Sequence, residues 1–454
     1  MNSNSFNLSS TDSSSSSSNS DDEGRELRVQ QRNEVCLMIQ HVMHEYIPPI
    51  IQAATQQRRR KSTEPRKDRG REEGHARLYN DYFAEVQVYP SSLFRRRFRM
   101  RKHVFERLLN AVTQHDPWFQ QRRDAAGRLG LSPLQKCTAA VRQLAYGCAS
   151  DACDEYVRIS EATSRLALQK FTEGVINLFG DQYLRRPNIA DMERLLRIGE
   201  ERGFPGMIGS IDCMHWEWKN CPHAWKGQYQ GREGVATLVL EAVADRDLWI
   251  WHSFFGMPGS CNDINVLHRS PVFEDVLEGR TPPVNFVVNG HHYTNGYYLT
   301  DGIYPRWASF VKSITSPQTR QDRLFAKHQE AARKDVERAF GVLQARFAII
   351  KKPSLAWDTD ILHNIMLACI IIHNMIVEDE RETYQNNVNT NEFMNAGGNA
   401  NEDTTEYRTD RIVDIGLYLS RRTEIEDQQT HLQLKNDLVE HIWNKFGNNE
   451  NLGN

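Results

Sequence analysis

Between Gly206 and Trp216 the sequence Gly-Met-Ile-Gly-Ser-Ile-Asp-Cys-Met-His-Trp reads as a short strand with a carboxylate, Asp212, inside a mostly apolar run. Burying a carboxylate in a strand is costly unless a partner offsets it. Any fold built on this strand has to deliver a cation, a metal or a cluster of donors to position 212. Two later stretches can complete such a site. Tyr297–Pro305 is a second apolar run that ends in Asp301 and a turn. Ala331–Phe340 has helical spacing and offers Glu337. Three carboxylates from two strands and a helix make the oxygen-rich cage that a hard cation such as Mg²⁺ prefers.

Around that site the chain changes texture several times, and its 454 residues allow two or three domains. The first 24 residues are Ser, Asn and Asp with almost no large apolar groups, which predicts disorder. A helix is expected around Val35–Met43, stopped by Pro48-Pro49, and a basic stretch follows at 58–72. The formal net charge of −3 hides this clustering of positive charge. Arg58, Arg59, Arg60, Lys61, Arg66, Lys67, Arg69 and Arg71 stand against only Glu64 and Asp68. Arg95, Arg96, Arg97, Arg99, Arg101 and Lys102 form a second cluster. Either could meet phosphate or an import receptor; the plainer reading of the first is a solvated linker. Residues 1–72 are read as a Ser-rich, basic, disordered region with one candidate helix.

From 73 to 203 the pattern is helical. Leu134, Cys137, Ala140, Val141 and Leu144 share a face entered through Ser132-Pro133, an N-cap followed by a first-turn proline. Gly147 and an acidic turn then lead to a helix over Glu161–Phe179. Helix, turn and helix are compatible with a helix-turn-helix DNA reader, and equally with a small structural bundle. Residues 204–380 alternate between strands (207–218, 235–244, 248–255, 284–288, 297–300) and helices, the longest over Pro317–Phe347. The second and third strands are joined tightly enough for a hairpin, giving a mixed α/β layer fold. Residues 381–410 read as an Asn-rich linker. A C-terminal helix in 411–454, at about Ile425–Phe446, carries Leu432, Leu434, Leu438, Ile442 and Trp443 on one side. The eight scattered cysteines contain no CxxC pair and read as reduced thiols of a cytosolic or nuclear protein. Ile361–Ile376 is apolar but short for a bilayer and is interrupted by His and Asn, so it is expected to be a buried helix, with no membrane partner.

Each candidate acid also has a plainer role. Asp212 could pair locally, Asp301 could start the turn at Gly302, and Glu337 could pair with Arg333 one turn earlier. Asp263 is a rival second acid, although it stands at a helix start where capping would explain it. Cys213, His215, Cys221 and His223 have the order of a metal motif but not a usual zinc-finger spacing. Lys219, Trp225, Lys226 and Arg232 follow the first strand and suit phosphate contact and base stacking, as does Arg333 on the helix; the plainer reading is a solvated basic loop.

Several stretches occur together: Gly209–Trp216, Trp225-Lys-Gly-Gln, Gly259–Leu267, Tyr297–Pro305 and Val336–Leu343. In combination they resemble the plant branch of the PIF/Harbinger transposases and Harbinger-derived nucleases, over roughly residues 80 to 380. The resemblance implies an RNase H-like mixed-sheet core with a DDE triad, Asp212, Asp301 and Glu337, holding two Mg²⁺ (or Mn²⁺) ions, preceded by the helical, helix-turn-helix-like region. It implies a nuclear protein that cleaves double-stranded DNA at transposon ends with a Myb-like accessory protein; a homodimer is one candidate assembly. The alternative is a domesticated, transposase-derived regulator of chromatin or transcription that acts without cleavage.

Overall fold

The computed structural model describes residues 68–232, 234–280, 282, 284–388 and 415–450. The Ser-rich start, the helix expected near 35–43, most of the first basic stretch and most of the Asn-rich linker lie outside the described residues. Arg69–Asn454 make one compact unit.

The helical part opens with α1 (Arg71–Tyr82), α2 (Ser91–Phe98), α3 (Lys102–His115) and α4 (Pro133–Tyr146). The start of α4 follows from its sequence. The Ser132 hydroxyl accepts from the Gln135 N–H, the Gln135 side chain returns a bond to the Ser132 backbone, and Pro133 needs no donor. Gly147 ends it in a left-handed turn. The next long helices are α5 (Glu161–Tyr183) and α6 (Ile189–Glu201). The α4–turn–α5 pair has the order of a helix-turn-helix without an exposed basic face. Almost all of α4 is buried, and α5 buries Leu168, Phe171, Val175, Phe179 and Tyr183. The exposed face of α5 offers Arg165, which is already paired with Glu161.

The sheet comprises β1 (Met207–Glu217), β2 (Thr237–Ala244), β3 (Ile250–Pro258) and, after a short helix α7 (Asp263–Leu267) and a separate hairpin of β4 (Phe286–Val288) and β5 (His291–Tyr293), β6 (Tyr297–Thr300) and β7 (Phe310–Lys312). Its order is β3-β2-β1-β6-β7, with β1, β2 and β3 antiparallel and β6 and β7 parallel to β1. The fold is thus mixed α/β around a five-stranded mixed sheet. Gly206 turns the chain into β1 with φ of 85°, and a Cβ there would lie 2.2 Å from the Phe286 ring.

Two long helices, α8 (Arg320–Arg346) and α9 (Thr359–Val388), pack against this sheet and the helical part. The Thr319–Asp322 capping box starts α8. The helix α9 runs past the 380/381 division expected from composition. Its apolar run, Thr359–Arg381, is long enough by composition to cross a bilayer, longer than the sequence pattern suggested. It is instead a core helix, with Leu362, Met366, Cys369, Ile370 and Ile372 buried. Two of its interrupting polar residues bond inside the body: Asn374 Nδ2 donates to the Tyr183 and Ile250 carbonyls, and His373 Nε2 lies 2.8 Å from the Leu248 carbonyl. One apolar cluster runs from Leu78 on α1 to Val377 on α9, so helices and sheet share a core. The C-terminal segment is two helices, α10 (Ile415–Glu426) and α11 (Gln428–Glu450). On α11, Leu434, Leu438 and Ile442 close a second cluster over Tyr297, Leu299 and Leu324, while Leu432 is exposed.

Candidate active site

The parallel pairing of β1 and β6 sets the geometry. Ser210 stands opposite Leu299, so Asp212 and Asp301, each two residues further on, leave neighbouring strands at the same level. Alternation along β1 sends Ser210, Asp212 and Met214 toward α8. The Ser210 hydroxyl donates to the Ala332 carbonyl, and Gln344 lies 3.2 Å from the Met214 sulfur. Glu337 is on the same helix. Cys213 faces the other way, opposite Glu241 on β2 and 3.7 Å from the Tyr304 hydroxyl.

Asp212 is largely buried. Its Oδ1 accepts from the Cys213 N–H at 2.8 Å, and its Oδ2 lies 3.4 Å from Arg333 Nη1. The same nitrogen is 2.8 Å from Glu337 Oε1. One guanidinium thus supplies the positive charge for both acids. The helical pairing of Glu337 with Arg333 exists, and it is also the link that ties Glu337 to Asp212. Asp335, midway between Arg333 and Glu337 in sequence, is held by Arg202 and Arg338. Asp301 uses Oδ1 to accept from the Ile303 N–H at 3.1 Å, which fixes its turn.

Burial pushes the Asp212 carboxyl up to about 6, helped by the charges of Asp301 and Asp263 and opposed by the Cys213 N–H and Arg333. Burial also raises the Asp263 carboxyl; the Cys213 thiol opposes this and Asp301 adds to it. Asp212 and Asp263 thus both lie in the field of the Asp301 charge. The capping explanation for Asp263 does not hold, because the cap of α7 is Asn262, whose side chain accepts from the Asn265 N–H. Asp263 is the first helical residue, and its carboxylate reaches the Cys213 face of the sheet.

Among the described residues no three His, Cys, Asp or Glu side chains stand close enough to form a ready metal cage. Arg333 stands between two of the candidates. The donors themselves are all carboxylate oxygens, which is the chemistry hard cations take.

A family profile described as "Plant transposon protein" matches residues 181–384, and a domain of unknown function matches 74–113. The human protein named "Putative nuclease HARBI1" is 23% identical over 254 residues, covering 55% of this chain and 68% of the relative. The cattle protein of that name is 23% identical over 264 residues, 57% and 71% of the two chains. An Arabidopsis "Protein ALP1-like" is 25% identical over 261 residues, 56% of this chain and 63% of the relative. Over these stretches the chain is similar to transposon proteins of plants and to Harbinger-derived nuclease relatives. No solved structure matches it. Asp212, Asp263, Asp301, Arg333 and Glu337 all fall within the transposon match, whereas the second basic cluster falls within the other.

Lys219, Trp225, Lys226 and Arg232 are exposed in the segment between β1 and β2. Trp225 is 47% exposed, its ring 6.3 Å from that of buried Trp218. Trp357, 68% exposed, belongs to the neighbouring loop that Trp218 anchors by donating to the Ala356 carbonyl. Of the metal-motif residues, His215 Nδ1 lies 2.9 Å from the Thr237 hydroxyl and the Cys221 thiol donates to the Pro222 carbonyl at 3.7 Å. One acid escapes a reading of the sequence alone. Glu241 is fully buried on β2, His252 Nε2 is 3.3 Å from its carboxylate, and neither of its oxygens accepts a hydrogen bond. The signal is present, since Leu-Val-Leu-Glu-Ala-Val-Ala holds a lone acid in an apolar run just as the Asp212 stretch does.

Proposed function

We propose that this chain is a metal-dependent DNA endonuclease of the transposase type, with an RNase H-like core and Asp212, Asp301 and Glu337 as its working acids. The observation that carries the proposal is the register of Asp212 and Asp301 on adjacent parallel strands, with Glu337 tied to Asp212 through Arg333. The sheet order, three antiparallel strands continued by two parallel ones, supports the same reading, as do the relatives named as nucleases.

Asp212, Asp301 and Glu337 would hold magnesium or manganese ions. When bound, these supply Lewis-acid charge at the attacking and leaving oxygens of a phosphodiester. Asp212 is the most constrained of the three, fixed on a central strand by the Cys213 N–H. Arg333 keeps the acids compatible without a metal and, released from them, would turn its planar fork to a phosphate. Asp263 approaches from the opposite face and remains the competing second acid. Lys219, Lys226 and Arg232 would meet the backbone of double-stranded DNA, with Trp225 stacking on a frayed base. A nuclear location and a Myb-like partner that recognises the element ends complete the proposal.

The test is cleavage of a labelled duplex by the purified chain in Mg²⁺ or Mn²⁺, with a Myb-like partner supplied. Asp212→Asn, Asp301→Asn and Glu337→Gln should each lower the rate by at least about a hundredfold, more than the loss of a supporting residue around a metal. Asp263→Asn should cost less than Asp301→Asn; the reverse order exchanges their roles. Wild-type cutting by Asp212→Asn would overturn the assignment. The second reading, a domesticated regulator that does not cut, is favoured by one observation: Arg333 already pairs with both Asp212 and Glu337. Absence of cleavage under every condition, with DNA or chromatin binding retained, would select it.

A further inference from the structure

The second basic cluster builds a cleft that the proposed site does not use. A cavity of about 410 Å³ is lined by Leu93, Arg96, Arg97, Arg99 and Tyr146. A more open one of about 620 Å³ shares Arg96 and Arg99 and reaches Val342, Ala345 and Arg346 on α8. The arginines here are not equivalent. Glu380 takes both Arg95 and Arg346, the latter at 2.7 Å, and Arg97 donates to the Tyr82 hydroxyl and lies over the Tyr89 ring. Among the described residues neither Arg96 nor Arg99 has an acidic partner. Arg99 has a buried Nε with nothing to receive its hydrogen, and its guanidinium carbon lies 5.6 Å from the centre of the Tyr146 ring. Its backbone is left-handed, φ 65°, where it ends α2, so the turn after that helix fixes where the side chain starts.

We propose that Arg96 and Arg99 form a phosphate clamp for the DNA backbone, separate from the carboxylate cluster and placed by α8 at a fixed distance from it. The helix links the two. Val342 and Arg346 lie five and nine residues beyond Glu337, about 7.5 to 13.5 Å along the axis. At about 3.4 Å per step along one strand of duplex, that is roughly two to four nucleotides. A planar guanidinium backed by an aromatic face suits a phosphodiester, because the fork can bind two oxygens while the ring holds its plane. The clamp's position relative to the cut rests on the nuclease reading; its binding does not.

The experiment measures anisotropy of a short labelled duplex with the full chain, between about 50 and 200 mM salt. Arg96→Gln/Arg99→Gln is expected to weaken binding by about tenfold and to make the slope of log Kd against log salt shallower by about 2, one for each phosphate that the variant no longer neutralises. Thermal melting of the variant checks its fold. If melting falls, Arg96→Gln alone, at an exposed side chain, is expected to lose about 1 from the slope. Unchanged affinity and slope would overturn the clamp, as would a wild-type chain that binds no duplex. Asp212→Asn separates the two claims. It should still bind the duplex without cutting it, and continued cutting counts against the nuclease reading alone.

Discussion

Asp212 and Arg333 set the electrostatic state of the site. A carboxyl held up to about 6 in the folded protein takes its proton before the unfolded chain does. Between about pH 4 and 6 the folded state therefore binds more protons, and stability falls as pH rises through that window. Asp212→Asn should flatten the curve of urea midpoint against pH over that range; an unchanged slope would mean that burial does not govern this group. Loss of the Asp212 proton above about pH 6 also frees an oxygen for a cation, so Mn²⁺ affinity should strengthen from pH 5 to 7 in the wild type. The lone acid within an apolar run is enough to single out Asp212. The same pattern at Glu241 does not stand out, because no second stretch nearby suggests a partner. Its neighbours, Cys213 and His252, come from other strands and meet it only across the sheet.

Elements with long, regular patterns are legible in the sequence, and short ones are not. The long helix expected over Pro317–Phe347 is α8, Arg320–Arg346, and the hairpin of β2 and β3 is where its apolar runs and tight Asp245-Arg-Asp connection indicate. The strands β5 and β7 are three residues each, too short for alternation to show; β5 pairs with β4 across Asn289-Gly290, and β7 pairs with β6. How closely elements approach is also hidden from pattern. Gly199 near the end of α6 lies against the entry to β1, where an added Cβ would be 2.8 Å from the Phe204 carbonyl oxygen and 3.0 Å from that of Met207. Those are backbone atoms of the segment that leads to Asp212. Gly199→Ala should cost about 1 to 3 kcal/mol of stability, read as a lower urea midpoint, because the strand entry has to shift.

At the scale of the whole molecule, the C-terminal helix closes the core beside the site. Leu434, Leu438 and Ile442 on α11 cover Tyr297 and Leu299 of β6, the strand that delivers Asp301. Deleting residues 428–454 should expose that cluster, lower the melting temperature and open β6 to limited proteolysis; a truncated chain that melts like the full one would show that β6 is held without it. The sequence by itself determined the composition of the elements, the apolar faces of α8 and α9, and three acids on two strands and a helix, because periodicity and a misplaced charge are local properties of a chain. The tertiary structure alone decided that Asp212 and Asp301 leave parallel strands at one level, that Arg333 bridges Asp212 and Glu337, and that Asn262 rather than Asp263 caps α7. It also decided that the helices before the sheet share the sheet's core. Each of these depends on which strand pairs with which and in what register, and that is fixed by burial of the whole apolar surface at once.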